Sequence, residues 1–242
     1  MSGMGERYEM GEMYERVEMN KRVEMDERVE VHEMSEMREN GEMREMRRKI
    51  ILASASPRRL ELLGQVGIVP VVEPSQVEEV ITSTAPEEVV MELSRQKALD
   101  VAGKHAGEAA VVIGADTVVA VDGTILGKPR DREDAIRMIG MLQGRSHQVY
   151  TGVTVVFGDG TGRQEPGADR AVTFYEKTEV HVYPMTQEEI ASYVYTGEPM
   201  DKAGGYGIQG QFAAWIQGIC GDYSSVVGLP VGRVCQVLRE ER

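Results

Sequence analysis

Two arginines stand where a helix is expected to begin with acidic or neutral residues. The segment SASPRR (residues 54–59) follows a short apolar run, and Ser56 before a proline is typical of a helix N-terminus. Because that end of a helix carries a partial positive charge, Arg58 and Arg59 repel it unless an anion lies among them. With the hydroxyls of Ser54 and Ser56 they would form a phosphate cradle; the alternative is a solvated helix start with both arginines in water.

Three further side chains break the local pattern. Asp116 stands in the apolar run VVIGADTVV (residues 111–119), where a carboxylate is costly to bury unless it is paired or ligates a cation; otherwise it faces solvent at a bulge or strand end. Lys97 lies on the apolar stripe of a predicted helix, so its ammonium either extends past the core or points into an anionic cleft. Lys128, held between a glycine and a proline, is either a placed cation or an ordinary turn lysine.

One or two carboxylates, four cations and the helix-start cradle suit metal-assisted attack on a polyphosphate better than acyl transfer or redox chemistry. The sequence contains no GxxxxGK[ST] loop and no GxSxG motif, and no GxGxxG follows a predicted strand as dinucleotide binding requires. The four histidines show no metal-ligand spacing, and His147 is interpreted as structural.

Composition narrows the function classes further. The formal charge of -13 disfavours a nucleic-acid partner, which requires a basic surface. No apolar run approaches the roughly 18–20 residues of a membrane span, and the start of the chain lacks the apolar core of a secretory signal. Cys220 and Cys235 cannot form a disulfide framework, so we expect a cytoplasmic protein with no membrane partner.

The first 48 residues differ in composition and periodicity from the rest of the chain. From Glu6 to Glu45, glutamate recurs at every third position except where Lys21 stands, and methionine or valine fills much of the remainder. A period of three moves about 60° around a helix per repeat, so it places Glu on every face and leaves no apolar stripe. We interpret residues 1–48 as a low-complexity extension, disordered or loosely helical, with a partner-binding helix as the alternative. Residues 49–242 are predicted to form the compact domain.

That domain is predicted to be α/β, with a mixed twisted sheet flanked by helices around a central cleft. Strands and helices alternate, and Asp122-Gly123 marks a hairpin. Thr186 and Glu189 have the spacing of a helix capping box. The strands are expected at 50–53, 111–121, 124–126, 149–157 and 171–183, and the helices at 57–66, 86–102, 131–142, 186–194 and 230–239.

The order of several segments resembles that of one known family. ILASASPRRLELL, GADTVVAVDGTILGKPRD, GRSHQVYTGV, GEPMDKAGGYGIQG and GDYSSVVGLP are similar to successive blocks of the Maf family, from about Lys49 to Arg239. The resemblance implies a Maf/ITPase-like fold and hydrolysis of a nucleoside triphosphate to the monophosphate and pyrophosphate with Mg²⁺ or Mn²⁺. A homodimer is also suggested by the family alone.

The resemblance also implies roles for particular residues. Asp116 corresponds to the proton-accepting aspartate, and Glu79 to a further acid, with adjacent Glu78 as the alternative; Asp116 and Glu79 are the candidate metal ligands. Lys97 and Lys128 correspond to the family's catalytic lysines. The phosphate and nucleotide contacts are expected from Ser54, Ser56, Arg58 and Arg59.

Three positions bear on the substrate. Arg58, Thr117 and Gln209 match the branch that resembles dTTP/UTP pyrophosphatases, so we expect dTTP, UTP and base-modified pyrimidine triphosphates as substrates. Thr117 and Gln209 would face the base or the ribose. The alternatives are the same reaction on a modified purine triphosphate such as 7-methyl-GTP, or a non-catalytic nucleotide-binding regulator of septum formation.

Overall fold

The structure is a computed structural model that describes residues 48–158, 160 and 170–240. The predicted extension, except Arg48, and most of the polar loop predicted between residues 158 and 170 lie outside the described residues. Of the helices in these ranges, none is both long enough and apolar enough to cross a membrane.

One mixed sheet organises the described part of the chain. Its strands are β1 Lys49–Leu52, β2 Val71–Val72, β3 Ala110–Val121, β4 Thr124–Leu126, β5 Ser146–Phe157, β6 Arg170–Val182 and β7 Ile216–Cys220. The strand order is β2-β1-β3-β5-β6-β7, and β4 pairs with β3. β1 is parallel to its neighbours β2 and β3, whereas the other pairs are antiparallel. The predicted α/β fold is therefore confirmed.

Helices cover both faces of the sheet. They are α1 Pro57–Gln65, α2 Pro86–Lys104, α3 Arg132–Leu142, α4 Gln187–Tyr195, α5 Tyr223–Val227 and α6 Val231–Glu240, with short 3₁₀ helices between Glu198 and Trp215. α2 packs through Val89, Leu93 and Val101 on one face of β3. α1 and α6 pack on the opposite face, and α3 and α4 enclose a further core at the β4 end.

The long strand β3 has two different partners along one edge. Its first residues pair with β1 as far as Ile113, and its last residues pair with β4 from Val119 onward. Residues 114–118 therefore have no strand neighbour on that edge, while β5 pairs along the other edge. Because successive side chains of a strand point to opposite faces of the sheet, Asp116 and Thr117 lie beside this gap on opposite faces.

The observed elements extend the predicted ones at several places. β5 begins at Ser146 instead of Val149 because its pairing with β6 continues to His181. The predictions omitted β2, β7 and α5. β7 lies at the sheet edge without full burial, and β2 has only two residues, so neither carries a clear alternation of apolar and polar residues. The predicted capping box is confirmed, since Thr186 and Glu189 hydrogen-bond reciprocally at the start of α4.

Candidate active site

A cleft of about 1120 Å³ opens at the gap between β1 and β4. All ten predicted site residues line it: Ser54, Ser56, Arg58, Arg59, Glu79, Lys97, Asp116, Thr117, Lys128 and Gln209. Five of the charged lining side chains are cationic and three are anionic, although the whole chain has a formal charge of -13. The cleft is therefore a local cationic region that can attract a polyanion.

Lys97 joins two carboxylates on the α2 side of the gap. Its ammonium lies 2.5 Å from Asp116 Oδ1 and 2.9 Å from Glu79 Oε1. The side chains of Lys97 and Asp116 are only 16% and 15% exposed, so this contact is shielded from bulk water. Among the described residues, the only hydrogen bond to the Asp116 carboxylate comes from Lys97 and reaches Oδ1.

Two glycines allow α2 to lie close to the sheet at this point. A Cβ at Gly114 would lie 2.5 Å from the carbonyl oxygen of Ser94 and 2.7 Å from the backbone nitrogen of Ala98. A Cβ at Gly152, on β5, would overlap the carbonyl oxygen of Val90. Lys97 lies between Ser94 and Ala98 in the chain, and Asp116 follows Gly114 on the same face of β3. The glycine contacts therefore set the distance between Lys97 and Asp116.

Glu79 is positioned by an extended segment, residues 73–84, which we call the strap. The strap has no regular helix or strand and is hydrogen-bonded along α2. Ser75 binds Asp100, Val80 exchanges two hydrogen bonds with Gln96, and Thr82 donates twice to Glu92. These three α2 side chains are spaced four residues apart and so share one side of the helix.

The strap also distinguishes the two adjacent acids. Both acids are exposed, but Glu79 lines the cleft and pairs with Lys97, whereas Glu78 makes no hydrogen bond or ion pair with the rest of the described chain. The hydrogen bond from Ser75 lowers the pKa of Asp100, and the backbone hydrogen bond from Thr82 lowers that of Glu92. Both carboxylates that hold the strap therefore favour the ionised form.

Arg59 occupies the other side of the gap with all three of its guanidinium nitrogens bound. Nε donates to the Gly228 carbonyl at 2.8 Å, Nη1 to Ser54 Oγ at 2.9 Å and Nη2 to Thr117 Oγ1 at 3.3 Å. Burial lowers the pKa of Arg59 below its ordinary value, and the nearby Asp116 opposes that shift. Thr117 also shares a hydrogen bond with Thr151. Ser54 and Thr117 therefore orient Arg59 within the cleft.

Arg58 reaches across the cleft to the glycine-rich loop, residues 197–210. Its Nη1 lies 3.3 Å from Asp201 Oδ2, and Lys202 Nζ lies 2.7 Å from Asp201 Oδ1. Burial alone would raise the pKa of Asp201, but Lys202 and Arg58 lower it overall. The contact of Arg58 with Asp201 was not predicted from the sequence. The link between residues 143 positions apart left no signal in the local sequence.

No side chain of the described residues caps the helix start beside Arg58. Ser56 occupies the N-cap position of α1, yet its hydroxyl makes no capping hydrogen bond, and the first turn contains no acidic residue. Its backbone N–H instead donates to Ser54 Oγ. The first-turn N–H groups of α1 can therefore donate to an anion.

Lys128 and Gln209 lie at the exposed side of the cleft. Both side chains are exposed and make no hydrogen bond or ion pair with any described residue. The loop that carries Gln209 is held by Glu198, whose carboxylate accepts from the backbone of Gln211 and from Tyr193. A Cβ at Gly210 would overlap the same carboxylate. Gln209 thus projects from a braced backbone.

His147 is structural, as expected. It is fully buried, and burial lowers its pKa to about 4, so it is neutral at physiological pH. Its Nε2 lies 2.6 Å from the hydroxyl of Tyr206, a residue of the cleft wall. Its Nδ1 has no hydrogen-bond partner among the described residues. The His147–Tyr206 hydrogen bond therefore anchors the glycine-rich loop to β5. Tyr206 was not predicted to line the cleft.

The donor set at the cleft fits a divalent cation. Asp116 and Glu79 approach the same point, and Mg²⁺ is commonly held by one or two carboxylates together with substrate phosphates. The part of the chain that the structure describes contains no group of three or more His, Cys, Asp or Glu side chains that could hold a metal by itself. The residues therefore fit a metal held jointly by protein and phosphate.

The chain is similar to proteins named dTTP/UTP pyrophosphatase. The one from Agathobacter rectalis is 56% identical over 203 residues, which cover 79% of this chain and 97% of that protein. Those from Symbiobacterium thermophilum and Lachnoclostridium phytofermentans are 50% and 46% identical, over 80% and 79% of this chain and 94% of each relative.

A solved dITP/XTP pyrophosphatase from Mycobacterium abscessus aligns with 57% of this chain and with 75% of its own chain. The sequence identity is 18% and the TM-score is 0.34, so this likeness does not support the fold assignment.

The model of the family described as Maf-like protein matches residues 49–241, which are most of the sequence. The chain therefore belongs to the Maf family.

Proposed function

We propose that this protein hydrolyses dTTP and UTP to the nucleoside monophosphate and pyrophosphate, with base-modified pyrimidine triphosphates as further candidate substrates. The observation that carries the proposal is the single cleft in which Asp116, Lys97 and Glu79 lie together with Arg58 and Arg59. The names of the relatives support the choice of substrate. A cleft of about 1120 Å³ is also large enough for a nucleotide.

In this proposal, Asp116 accepts a proton from the water that attacks the α-phosphorus. Lys97 hydrogen-bonds Oδ1 of Asp116 and orients the carboxylate before nucleotide binds, and Oδ2, which accepts no hydrogen bond from the described residues, would take the proton. Asp116 and Glu79 would hold the cation. When bound, Mg²⁺ or Mn²⁺ would supply charge neutralisation and polarisation of the phosphate oxygens.

The cations around the cleft would neutralise the charge that grows on the departing pyrophosphate. Arg59 is already held in place by Ser54 and Thr117, so little ordering is needed when a phosphate binds. Arg58 would exchange its 3.3 Å contact with Asp201 for a phosphate oxygen, and Lys128, whose ammonium pairs with no described residue, would contribute a further cation. Ser56 and the start of α1 would complete the phosphate cradle.

Gln209 would select the base. Its amide carries both a donor and an acceptor, so it can bind the polar edge of a pyrimidine, while close packing would exclude purines. Thr117 would affect base selection indirectly, by orienting Arg59, because its hydroxyl already hydrogen-bonds with Arg59 and Thr151.

A nucleotide panel tests this function directly. The purified protein with Mg²⁺ or Mn²⁺ would be offered dTTP, UTP, CTP, ATP, GTP, dITP and 7-methyl-GTP, and both pyrophosphate and orthophosphate would be measured. We expect pyrophosphate from dTTP and UTP in equal amount to the monophosphate. Preference for a modified purine would favour the purine alternative, and saturable binding without pyrophosphate release would favour the regulator.

The remaining expectations accompany the proposal without carrying it. A cytoplasmic location rests on the low cysteine content, and the homodimer rests on the family resemblance alone. The absence of a nucleic-acid partner rests on the acidic net charge. Deleting residues 1–48 should leave turnover unchanged if, as proposed, residues 49–242 form the catalytic domain.

A further inference from the structure

Lys97 lies at the point where a cation shared by Asp116 and Glu79 would lie. Its ammonium is within hydrogen-bond distance of one oxygen from each carboxylate, at 2.5 and 2.9 Å. A Mg²⁺ ion that used the same two oxygens would need to approach each to about 2.0–2.1 Å. The ammonium and the metal therefore compete for the same oxygens.

Displacing the Lys97 ammonium from the two carboxylates is unfavourable unless another anion binds it. Lys97 is 16% exposed, and among the described residues Asp116 and Glu79 are its only charged partners. A half-buried ammonium without a partner is costly, and a divalent cation beside it would add repulsion between like charges. Free metal must therefore displace Lys97 into an unfavourable position.

A nucleoside triphosphate changes this balance. Its phosphate oxygens can accept Lys97 and can also complete the coordination of the metal. We propose that Lys97 acts as an internal counter-cation, which keeps free metal out of the Asp116–Glu79 site and admits it only together with a polyphosphate. The inference rests on the proposed function for the identity of the polyphosphate, but the competition is a property of the protein alone.

The proposal predicts coupled binding of metal and nucleotide. Each should raise the affinity for the other by the same factor, and typical couplings are about 5–150-fold. Lys97→Met removes the competing ammonium but keeps an unbranched apolar chain of similar length. This variant should bind Mn²⁺ at least tenfold more tightly than the wild-type protein in the absence of nucleotide, and its coupling to nucleotide should fall.

Mn²⁺ binding to the full chain, followed by electron paramagnetic resonance of the free ion, tests the proposal without any turnover. Lys97→Arg, which retains a cation, should exclude Mn²⁺ as the wild type does. Lys128→Met is the matched control, since it removes one positive charge from the same cleft without freeing a carboxylate, and it should not gain the site. The double variant Lys97→Met/Asp116→Asn should lose the gained site.

Three outcomes would overturn the proposal. They are equal Mn²⁺ affinity in wild type and Lys97→Met, a gained site that persists when Asp116 is also replaced, and a gain of similar size in Lys128→Met. Thermal melting of each variant establishes that it is folded before titration. A protein that hydrolyses no nucleotide would refute the proposed function but would leave these titrations interpretable, so the two failures are distinguishable.

Discussion

Replacing Gly114 with alanine adds one methyl group where α2 touches the sheet beside the active site. The new Cβ would lie 2.5 Å from the Ser94 carbonyl oxygen, whereas ordinary contacts begin at 3.4 Å. The helix must therefore retreat by about 1 Å, and overpacking of this kind costs about 1–3 kcal/mol. In a domain of this size that loss corresponds to a melting temperature lower by roughly 2–12 °C.

The same retreat should impair turnover more than stability. Lys97 follows Ser94 by less than one helical turn, so the displacement moves its ammonium away from Asp116 and from the part of the cleft where the phosphates would bind. A misplacement of about 1 Å can reduce a rate by roughly 100-fold. We therefore expect Gly114→Ala to lower kcat/KM for UTP by about that factor while the protein stays folded at 25 °C.

A glycine in the same helix supplies the control. Gly103 is exposed near the end of α2, and a Cβ there would meet no atom within 4 Å. Gly103→Ala should raise stability by about 0.5–1 kcal/mol and leave kcat/KM unchanged. Thermal unfolding and pyrophosphate release would be measured on both variants. Wild-type activity in Gly114→Ala would refute the claim that this contact sets the Lys97–Asp116 distance.

Two further predictions concern Glu79 in the strap and the contact of His105 with Glu73, the first residue of the strap. Glu79→Gln should lower turnover at least tenfold and weaken the dependence on Mg²⁺, whereas Glu78→Gln, the same change one residue earlier, should do neither; equal effects would contradict the assignment of Glu79. Hydrogen bonding to Glu73 raises the pKa of His105 above its ordinary value of 6.5. The stability from protonated His105 is therefore complete below pH 6.5 and lost as the pH rises through the raised pKa. Urea unfolding should show this loss in the wild type, and a wild-type pH profile that matches that of His105→Gln would contradict it.

The sequence predicted those features of the fold that local patterns determine. Apolar periodicity indicated β3 and α2, and capping chemistry indicated the start of α4 at Thr186. The short elements β2 and α5 were not predicted, because a segment of two to five residues is too short to show a periodic pattern of apolar residues. The strap could not be predicted either, because its conformation depends on hydrogen bonds to α2 side chains that are 10 to 25 positions away in the sequence.

For the site, the residue types were predictable and the pairings were not. Arg58 and Arg59 break the rules of a helix start, and Asp116 breaks those of an apolar strand, so each was visible locally. The contacts that organise them join distant positions, such as Arg59 with Gly228, and depend on which elements meet in the fold. The choice between Glu78 and Glu79 likewise needed the path of the strap.

The most direct test of the account is the Asp116→Asn variant, measured for nucleotide binding without metal and for pyrophosphate release with Mg²⁺. Asparagine keeps the size of the side chain and an oxygen for Lys97 but cannot accept the proton of the attacking water. We predict that turnover of dTTP and UTP with Mg²⁺ falls by at least about 100-fold, while the nucleotide Kd measured without metal stays near that of the wild type. Turnover at the wild-type rate, or a loss explained entirely by weaker nucleotide binding, would contradict it.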